Sequence, residues 1–212
     1  MAPKPIKGEY IETDTGNKVS RRAQVHGTQH IILGGKTVIQ AEVCIRGDLH
    51  RLAAPPPSPS PSTLNPSSAT SSSTTSAAAP STPSVAVTIG RYTHLSRGAL
   101  LRPPSRLHRG IHSYFPLKIG DHVFIGERAI IEAASVGNHV QIGAGAVVGA
   151  MAILKDYVVV LEGAVVPGGM VVPSWSVVGG RPARVVGEVG EGWGVEGGEG
   201  GLARERYRSV GR

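Results

Sequence analysis

Two histidines occupy matching places in this sequence, each directly after a residue that is typical of turns. His122 follows Asp121, and His139 follows Asn138. If both turns lie on one edge of the fold, the two imidazoles could bind a metal ion or act as the base of an acyl transfer. The other interpretation, which we expect to hold, is a pair of solvent-exposed turn histidines.

A second pair of histidines lies in the segment 102–118, close to two arginines. His108 or His112 could provide a general base on a projecting loop. Arg106 and Arg109 could hold a phosphate of coenzyme A. The segment contains no carboxylate to orient either imidazole, so an acyltransferase site here would be incomplete.

The composition limits the kind of fold that can position these groups. The 212 residues include 29 Gly and 16 Pro but only 2 Phe, 2 Trp and 5 Tyr, so Val, Ile, Leu and Ala must fill the core. A hydrophobic fraction of 40% suffices for such a core and argues against wholesale disorder. The net charge of +7 comes from scattered Lys and Arg rather than from a basic run, which argues against nucleic-acid binding.

The N-terminal segment and the single cysteine bear on cellular location. Residues 1–10 lack the apolar run of a signal peptide, and no stretch approaches the roughly 18 to 20 apolar residues that span a bilayer. Cys44, the single cysteine, cannot form an internal disulfide. The sequence therefore predicts a soluble intracellular protein without direct membrane insertion.

A 32-residue tract at 53–84 consists of Ser, Pro, Ala and Thr, apart from Leu64 and Asn65, and carries no charge. Such a composition offers nothing to offset the entropy of ordering the chain. Both flanks have strand-like patterns, which predicts a disordered insertion that loops out of one domain. A linker between two domains is the alternative, although the 52 residues before the tract are few for a core of their own.

After the tract, aliphatic residues recur at intervals of six or a multiple of six, with one step of five. They are Ile89, Leu95, Leu101, Ile119, Ile125, Ile131, Val136, Ile142, Val148, Leu154, Val160, Val166, Val172 and Val178. The same spacing precedes the tract at Leu33, Ile39 and Ile45, and Gly follows many of these residues. A period of six does not fit a helix, but it fits short strands that turn every six residues.

Three such strands that close a triangle form one coil of a parallel β-helix. The repeated aliphatic residue then points inward and stacks on its equivalents in neighbouring coils. We expect an all-β fold of this kind, a single-stranded left-handed parallel β-helix of hexapeptide repeats with about five to six coils. The glycine after an inward residue is expected to supply the positive φ of a tight corner.

The chain divides into four segments on this basis. They are the N-terminal segment with the first coils at 1–52, the insertion at 53–84, the main β-helix at 85–186 and a Gly-rich, mobile tail at 187–212. Within the main β-helix, 102–118 is expected to form a loop that leaves the coil, with an irregular coil as the alternative. In the tail, Leu202–Tyr207 is expected to form a short helix that covers the open end.

The hexads resemble those of the left-handed β-helix families, and two groups of segments narrow the match. One group resembles the γ-class carbonic anhydrases and their relatives: Ile45-Arg46-Gly47-Asp48, the coil from Ile89, and Ile119-Gly120-Asp121-His122-Val123-Phe124-Ile125-Gly126. The other resembles more specifically the dynactin subunit 5 family: Tyr10-Ile11-Glu12-Thr13, Gly16-Asn17-Lys18-Val19-Ser20-Arg21, Leu101-Arg102-Pro103-Pro104 and Phe115-Pro116-Leu117. The resemblance covers residues from 9 to about 188 without the tract.

The resemblance to the carbonic anhydrases permits a test of catalysis. Those enzymes bind zinc through three imidazoles and leave a fourth position for water. Matching the hexads places the ligand positions at Arg102, Glu127 and Glu132, so no imidazole remains. A guanidinium cannot bind a cation, and we expect Arg102 to form an ion pair with the two carboxylates instead. The resemblance assigns Arg46 and Asp48 a bracing role.

The resemblance to the dynactin subunit 5 family implies a non-catalytic interaction subunit without cofactor or metal. The implied partners are dynactin subunit 6, another β-helix, and the pointed-end actin-related protein with its associated subunit, in a hetero-oligomer. The implied role, in the cytoplasm and at the cytoskeleton, is to cap the pointed end of dynactin and to help attach endosomes to dynein for microtubule-based transport. The alternative is an enzyme of the same fold, either γ-carbonic-anhydrase-like or an acyl-CoA-dependent acyltransferase.

Overall fold

The structure, a computed structural model, describes residues 9–50, 84–108, 110–190, 193 and 201–210. Within these residues, three sheets of short strands form the walls of a triangular prism. The first sheet contains β1 (Tyr10–Glu12), β2 (Lys18–Ser20), β5 (Val38–Ile39), β8 (His94–Leu95), β13 (Phe124–Ile125), β16 (Gln141–Ile142), β19 (Val159–Val160), β22 (Ser176–Gly180) and β23 (Ala183–Glu188).

The other two walls contain six strands each in the described part of the chain. The second sheet contains β3 (Gln24–His26), β6 (Cys44–Arg46), β9 (Leu100–Leu101), β14 (Ile130–Ile131), β17 (Val147–Val148) and β20 (Val165–Val166). The third sheet contains β4 (Ile31–Leu33), β7 (Val87–Ile89), β12 (Leu117–Ile119), β15 (Ser135–Val136), β18 (Ile153–Leu154) and β21 (Val171–Val172).

Each coil of the prism takes one strand from each sheet in turn. Coil 1 consists of β2, β3 and β4, coil 6 consists of β19, β20 and β21, and β22 begins a seventh coil. Six coils agree with the range that the repeat predicts. Strands of one sheet pair in parallel between coils, with Ile125 opposite both Leu95 and Ile142. This register stacks the inward side chains along the prism.

The inward aliphatic residues form the core, as the six-residue period predicts. From Ile39 to Val178, every residue of the repeat is buried, with at most 1% of its surface exposed. Leu33, where the predicted repeat starts, is half-buried against them. Full burial of one such side chain contributes about 1.5 to 3 kcal/mol, so the stack provides most of the hydrophobic stabilisation.

The β-helix begins two strands earlier than the six-residue repeat predicts. Val19 and Val25 lie in register with Ile39 and Ile45, so they are the first two inward residues of coil 1, and Leu33 is the third. A 3₁₀ helix at Thr28–His30 follows Val25 and lengthens the step to the next inward residue. The longer step separates the first two strands of this coil from the run of residues spaced by six.

The glycines that follow the inward residues do not supply the positive φ predicted for them. The left-handed conformation occurs two residues later, for example at His122 and Gly145. A Cβ added to Gly126 would lie only 2.6 Å from the amide nitrogen of Ala144 and from the carbonyl carbon of Gly143. These glycines are needed because the backbones of successive coils approach too closely for a side chain.

The turns at one corner of the prism share one backbone conformation, whereas the connections at another corner differ from one another. At the corner between the third and first sheets, here called the ladder corner, six successive turns place Lys36, Tyr92, His122, His139, Tyr157 and Trp175 in the left-handed conformation. The corner between the second and third sheets, here called the insertion corner, holds the 3₁₀ helix and the tract that separates β6 from β7. The insertion predicted at 53–84 lies outside the described residues except for Ser84.

The insertion corner also holds a hairpin in the predicted loop 102–118. Its antiparallel strands are β10 (Ser105–His108) and β11 (Ile111–Tyr114). After the hairpin, Leu117 returns into register with Val87 of the preceding coil. The segment therefore leaves the coil as expected, but as ordered β-structure and without disturbing the stack.

Antiparallel strands extend the first sheet at both ends of the prism. β1 pairs with β2, and β23 pairs with β22 and continues to Glu188, beyond the predicted end of the β-helix.

The predicted tail helix forms as α1 (Gly201–Ser209), but it packs against the wall of the first sheet and does not cover the open end. No helix in the described residues is long and apolar enough to cross a membrane. The tail residues 191–200 lie outside the description except for Trp193.

Candidate functional site

The three positions that correspond to zinc ligands lie at two different corners. Arg102 and Glu132 follow β9 and β14 at the insertion corner, where Arg102 Nε lies 3.2 Å from Glu132 Oε1. Glu127 lies in the turn between β13 and β14, at the corner between the first and second sheets. The ion pair thus includes one of the two expected carboxylates. Because both partners are partly exposed, it contributes about 0 to 1 kcal/mol.

The hairpin carries the residues considered for coenzyme A binding. Arg106 and His112 lie on opposite strands, paired with Ser113 and Leu107 respectively. The ring of His112 contacts the edge of the Tyr114 ring, with 4.9 Å between the centroids. Arg109 and the side chain of His108 lie outside the described part of the structure. The described residues of the hairpin place no carboxylate beside His112.

His122 and His139 belong to a ladder of stacked rings at the ladder corner. The distances between successive ring centroids are 5.2 Å from Tyr92 to His122, 4.8 Å from His122 to His139, 4.9 Å from His139 to Tyr157 and 4.1 Å from Tyr157 to Trp175. All four pairs lie within 8° of parallel. This spacing follows the separation of about 4.8 Å between neighbouring strands, so the coil rise determines the stack.

The geometry of this ladder does not suit metal binding by the two histidines. Stacked imidazoles present their faces to each other, so the nitrogens of His122 and His139 do not converge on one ion. Across the described ranges, no group of three or more His, Cys, Asp or Glu could hold a metal ion.

The expectation that these histidines are solvent-exposed is wrong. Both His122 and His139 are half-buried, and their Nδ1 atoms are buried without a hydrogen-bond partner in the described structure. Burial, together with the neighbouring His139, lowers the pKa of His122. The ladder is therefore a structural element that favours the neutral form of the His122 imidazole.

α1 runs along the first sheet, beside the ladder corner, from coil 5 towards coil 1. Leu202, in its first turn, lies near His139. At its other end, Lys18 Nζ donates to the carbonyl oxygens of Tyr207 at 3.0 Å and of Val210 at 2.6 Å. A lysine in this place satisfies carbonyl groups that the helix leaves free. Nine helical residues rise by about 13.5 Å, which is close to three strand spacings.

Side chains of α1 cover the outward face of the first sheet. The guanidinium of Arg206 lies 4.0 Å from the centroid of the Phe124 ring, a contact typically worth about 0.5 to 2 kcal/mol. The Tyr207 hydroxyl donates to the carbonyl oxygen of Gly16 at 2.8 Å. Val38, which alternates with the inward Ile39, is only 1% exposed. The docked helix thus gives this wall a second layer.

His94, on β8, is a buried titratable group that the sequence analysis does not single out. It is 8% exposed, and its ring stacks on Phe124 with 5.5 Å between the centroids. Its Nδ1 atom is buried and has no hydrogen-bond partner among the described residues. Burial, with a smaller effect of Arg206, lowers the pKa of His94 to about 4. Protonation would place a second positive charge beside Arg206.

The remaining residues that the sequence singles out are Arg46, Asp48 and Cys44. Arg46 makes a two-pronged contact with Asp48, with Nε 2.8 Å from Oδ1 and the second nitrogen 2.7 Å from Oδ2. The hydrogen bonds from Arg46 lower the pKa of Asp48. Both residues follow the inward Ile45 where the chain leaves coil 2 for the tract, and this contact braces that turn. Cys44, on β6, is a half-buried free thiol.

The sequence contains a signal for the ladder that the search for catalytic groups misses. Tyr92, Tyr157 and Trp175 hold the same place as the two histidines, three residues after an inward aliphatic residue. The repeat itself therefore aligns all five rings. His94 has no comparable signal, because its burial depends on α1, more than one hundred residues later in the chain.

A family model described as dynactin subunit 5 matches residues 82–194, which is more than half of the 212 residues. The chain belongs to the dynactin subunit 5 family. The family resemblance predicted from the sequence is thereby confirmed. The match covers the chain from just before β7, through coils 3 to 6, to the region beyond β23.

A curated relative supports this membership. Dynactin subunit 5 of Dictyostelium discoideum is 35% identical over 132 residues, which is 62% of this chain and 49% of the relative. The chain thus spans about half the length of that family member.

Solved structures similar to this member of the dynactin subunit 5 family show the same fold. A hexapeptide transferase family protein from Anaplasma phagocytophilum has a TM-score of 0.56 at 18% identity, covering 92% of both chains. Perosamine N-acetyltransferase from Caulobacter crescentus, in complex with coenzyme A and GDP-perosamine, has a TM-score of 0.52 at 17% identity, covering 81% of this chain and 57% of that one. The predicted left-handed parallel β-helix of hexapeptide repeats is confirmed.

Proposed function

We propose that this member of the dynactin subunit 5 family is a non-catalytic interaction subunit of the dynactin pointed-end complex. The family match over residues 82–194 is the observation that carries the proposal. In this role the chain binds dynactin subunit 6 and the pointed-end actin-related protein, in the cytoplasm and at the cytoskeleton. The complex then supports dynein-driven transport along microtubules and the attachment of endosomes as cargo.

The ends of the prism support a role in protein binding. At the C-terminal end, β20 and β21 are the last strands of their sheets in the described chain. At the N-terminal end, β3 and β4 hold the corresponding places. The outer edge of such a strand presents backbone N–H and C=O groups that the strands of a partner protein can pair with.

The coil at the C-terminal end is also apolar. Between Gly163 and Gly180 the sequence contains no Asp, Glu, Lys or Arg. Val171, Trp175 and Val186 are 55%, 39% and 60% exposed. Charged residues commonly protect sheet edges from association, and the edge strands β20 and β21 contain none. The apolar end therefore supports contact with a second open β-helix, which dynactin subunit 6 would provide.

The positions that correspond to the zinc ligands of the carbonic anhydrases support a role without catalysis. Arg102 and Glu132 pair with each other, while Glu127 lies at a different corner. A γ-carbonic-anhydrase-like enzyme would need three ligands that converge. An acyl-CoA-dependent acyltransferase, the other alternative, would need a base with an orienting partner on the projecting hairpin.

Affinity purification of the tagged full chain from its source cells, with identification of the co-purifying proteins, tests the proposal. We expect the pointed-end subunits of dynactin in stoichiometric amounts and no bound zinc. A variant with Val171→Lys and Val186→Lys should fold and lose dynactin subunit 6. Leu107→Lys is the matched control and should keep dynactin subunit 6, because Leu107 is 68% exposed on the hairpin, away from both ends of the prism. A homotrimer with stoichiometric zinc, or with acyl transfer from acyl-CoA, would contradict the proposal.

A further inference from the structure

A cavity of about 400 Å³ lies where α1 meets the ladder corner. Its lining consists of Lys36, Tyr92, Arg204, Tyr207 and Arg208. Lys36 and Tyr92 come from successive turns of the ladder corner, and the other three residues come from α1. The cavity is therefore complete only while α1 is docked, and its volume is in the range of small-molecule sites.

Three of the five lining side chains are cations. Lys36, Arg204 and Arg208 form no ion pair with a carboxylate in the described structure. Arg204 and Arg208 are four residues apart on α1, so they face the same side of the helix. Lys36 Nζ donates to the Tyr92 hydroxyl at 2.9 Å, and the Arg204 guanidinium lies 5.7 Å from the centroid of the same ring.

The two tyrosines show where the positive charge is concentrated. The hydrogen bond from Lys36, and the charges of Lys36 and Arg204, lower the pKa of Tyr92. The Tyr207 hydroxyl, which donates its proton to the carbonyl oxygen of Gly16, lies 3.3 Å from Glu12 Oε1, and burial together with Glu12 raises the pKa of Tyr207. Lys36 and Arg204 therefore act together on the Tyr92 side of the cavity. On the Tyr207 side, Glu12 lies beside Lys18, whose Nζ is 4.3 Å from the centroid of the Tyr207 ring.

We propose that this cavity binds a phosphate group, which Lys36 on the prism and Arg204 and Arg208 on α1 hold between them. A phosphate dianion matches three cations in charge better than a single carboxylate does. The planar guanidinium groups can each donate two parallel hydrogen bonds to its oxygens, and the lysine adds a compact positive charge. The phosphate is either that of a small phosphorylated molecule or that of a phosphorylated side chain on a partner protein.

A phosphate in this place would link two parts of the chain. Its contacts join Lys36, at the turn before coil 2, to the last turns of α1. A ligand that binds the docked arrangement and not the undocked one shifts the equilibrium towards docking. Phosphate binding therefore strengthens the attachment of α1 to the prism and raises the protection of its amide hydrogens from exchange.

Calorimetric titration of the full chain with inorganic pyrophosphate and with capped phosphoserine tests the site. We expect saturable binding that weakens as the salt concentration rises, because the lining groups are exposed to solvent. Lys36→Met and Arg204→Met should each weaken binding by about tenfold or more. Lys155→Met, which removes an exposed lysine at a more distant turn of the same corner, should bind like the wild type.

Two further comparisons complete the experiment. Tighter binding of pyrophosphate would point to a small phosphorylated molecule, and tighter binding of phosphoserine to a modified partner protein. Hydrogen exchange of α1 in the presence and absence of the tighter probe should show slower exchange when it is bound. No saturable binding of either probe to the wild type, or equal binding by all three variants, would overturn the proposal.

Discussion

The ladder corner and the insertion corner join strands of the same prism in opposite ways. At the ladder corner, six turns place a non-glycine residue in the same left-handed conformation, and five of these residues stack as rings. At the insertion corner, the first three connections are a 3₁₀ helix, the tract and a hairpin, and the later ones are short turns. A connection can vary widely when only its ends are fixed, whereas stacking requires every turn to be alike.

The sheets explain why the insertion corner tolerates this variety. Val87, after the tract, pairs with Ile31, and Leu117, after the hairpin, pairs with Val87. The closure entropy of a loop grows only slowly with its length, so a long connection adds little cost once its ends lie in register. The core residues on both sides of each insertion keep their positions.

The largest loss of stability is expected from a change in the core, to which both corners are joined. Ile142 is fully buried, and Ile142→Asp would bury a carboxylate without a partner, at a cost of several kcal/mol. We expect this variant to be unfolded in circular dichroism and in urea titration. Gln141→Asp, at the neighbouring outward position, should stay folded. A folded Ile142→Asp protein would contradict the inward register.

Acidification should loosen the wall beside the ladder corner. The pKa of His94 is about 4 in the folded protein, below the ordinary value of 6.5, so the undocked or unfolded state binds protons more readily. The stability due to neutral His94 is complete above about pH 6.5 and is lost as the pH falls towards 4, by up to about 3 kcal/mol.

Urea unfolding at several pH values, together with hydrogen exchange of α1, measures this loss. His94→Gln should flatten the dependence between pH 7 and pH 4, because Gln does not titrate. His112→Gln is the matched control, since His112 lies on the hairpin at the insertion corner. An unchanged dependence in His94→Gln would assign the acid sensitivity to another group.

Removal of one ring from the middle of the ladder should lower the stability by a smaller amount. Tyr157 stacks between His139 and Trp175 and adopts the left-handed conformation. Tyr157→Ala loses the stacking and keeps the backbone strain, so we expect about 2 kcal/mol lower stability. Tyr157→Gly also loses the stacking but relieves the strain, which recovers about 1 kcal/mol. Urea unfolding compares the two, and equal losses would show that strain is unimportant there.

The smallest effect is expected at the insertion corner. Deletion of residues 53–84 removes no residue of the inward stack, so we expect a melting temperature within about 2 °C of the wild type. Thermal unfolding followed by circular dichroism measures it. A large decrease would show that the tract packs against a wall of the prism.

The period of six predicted the fold class and the inward residues from Ile39 to Val178, because each coil repeats the same local alternation. It missed the first two strands of coil 1, since the 3₁₀ helix after Val25 changes the spacing. It also assigned the wrong role to glycines such as Gly126, whose constraint is the backbone of the next coil. The sequence of a single hexad contains no information about how closely the backbone of the next coil lies.

The candidate site was predicted less well than the fold. Matching the hexads correctly gave Arg102 and Glu132 as neighbours, because strand register aligns residues of successive coils. The half-buried state of His122 and His139 and the burial of His94 could not be read from the repeat. These depend on α1 and on ring stacking between coils.

The sequence by itself determined the β-helix, its core and the family, since these depend on residue types at regular short intervals. Only the tertiary structure decided where α1 docks, and that Lys36 meets Arg204 and Arg208 around one cavity. The physical reason is distance along the chain. Contacts between residues more than one hundred positions apart arise from the packing of completed elements, and no local pattern records them.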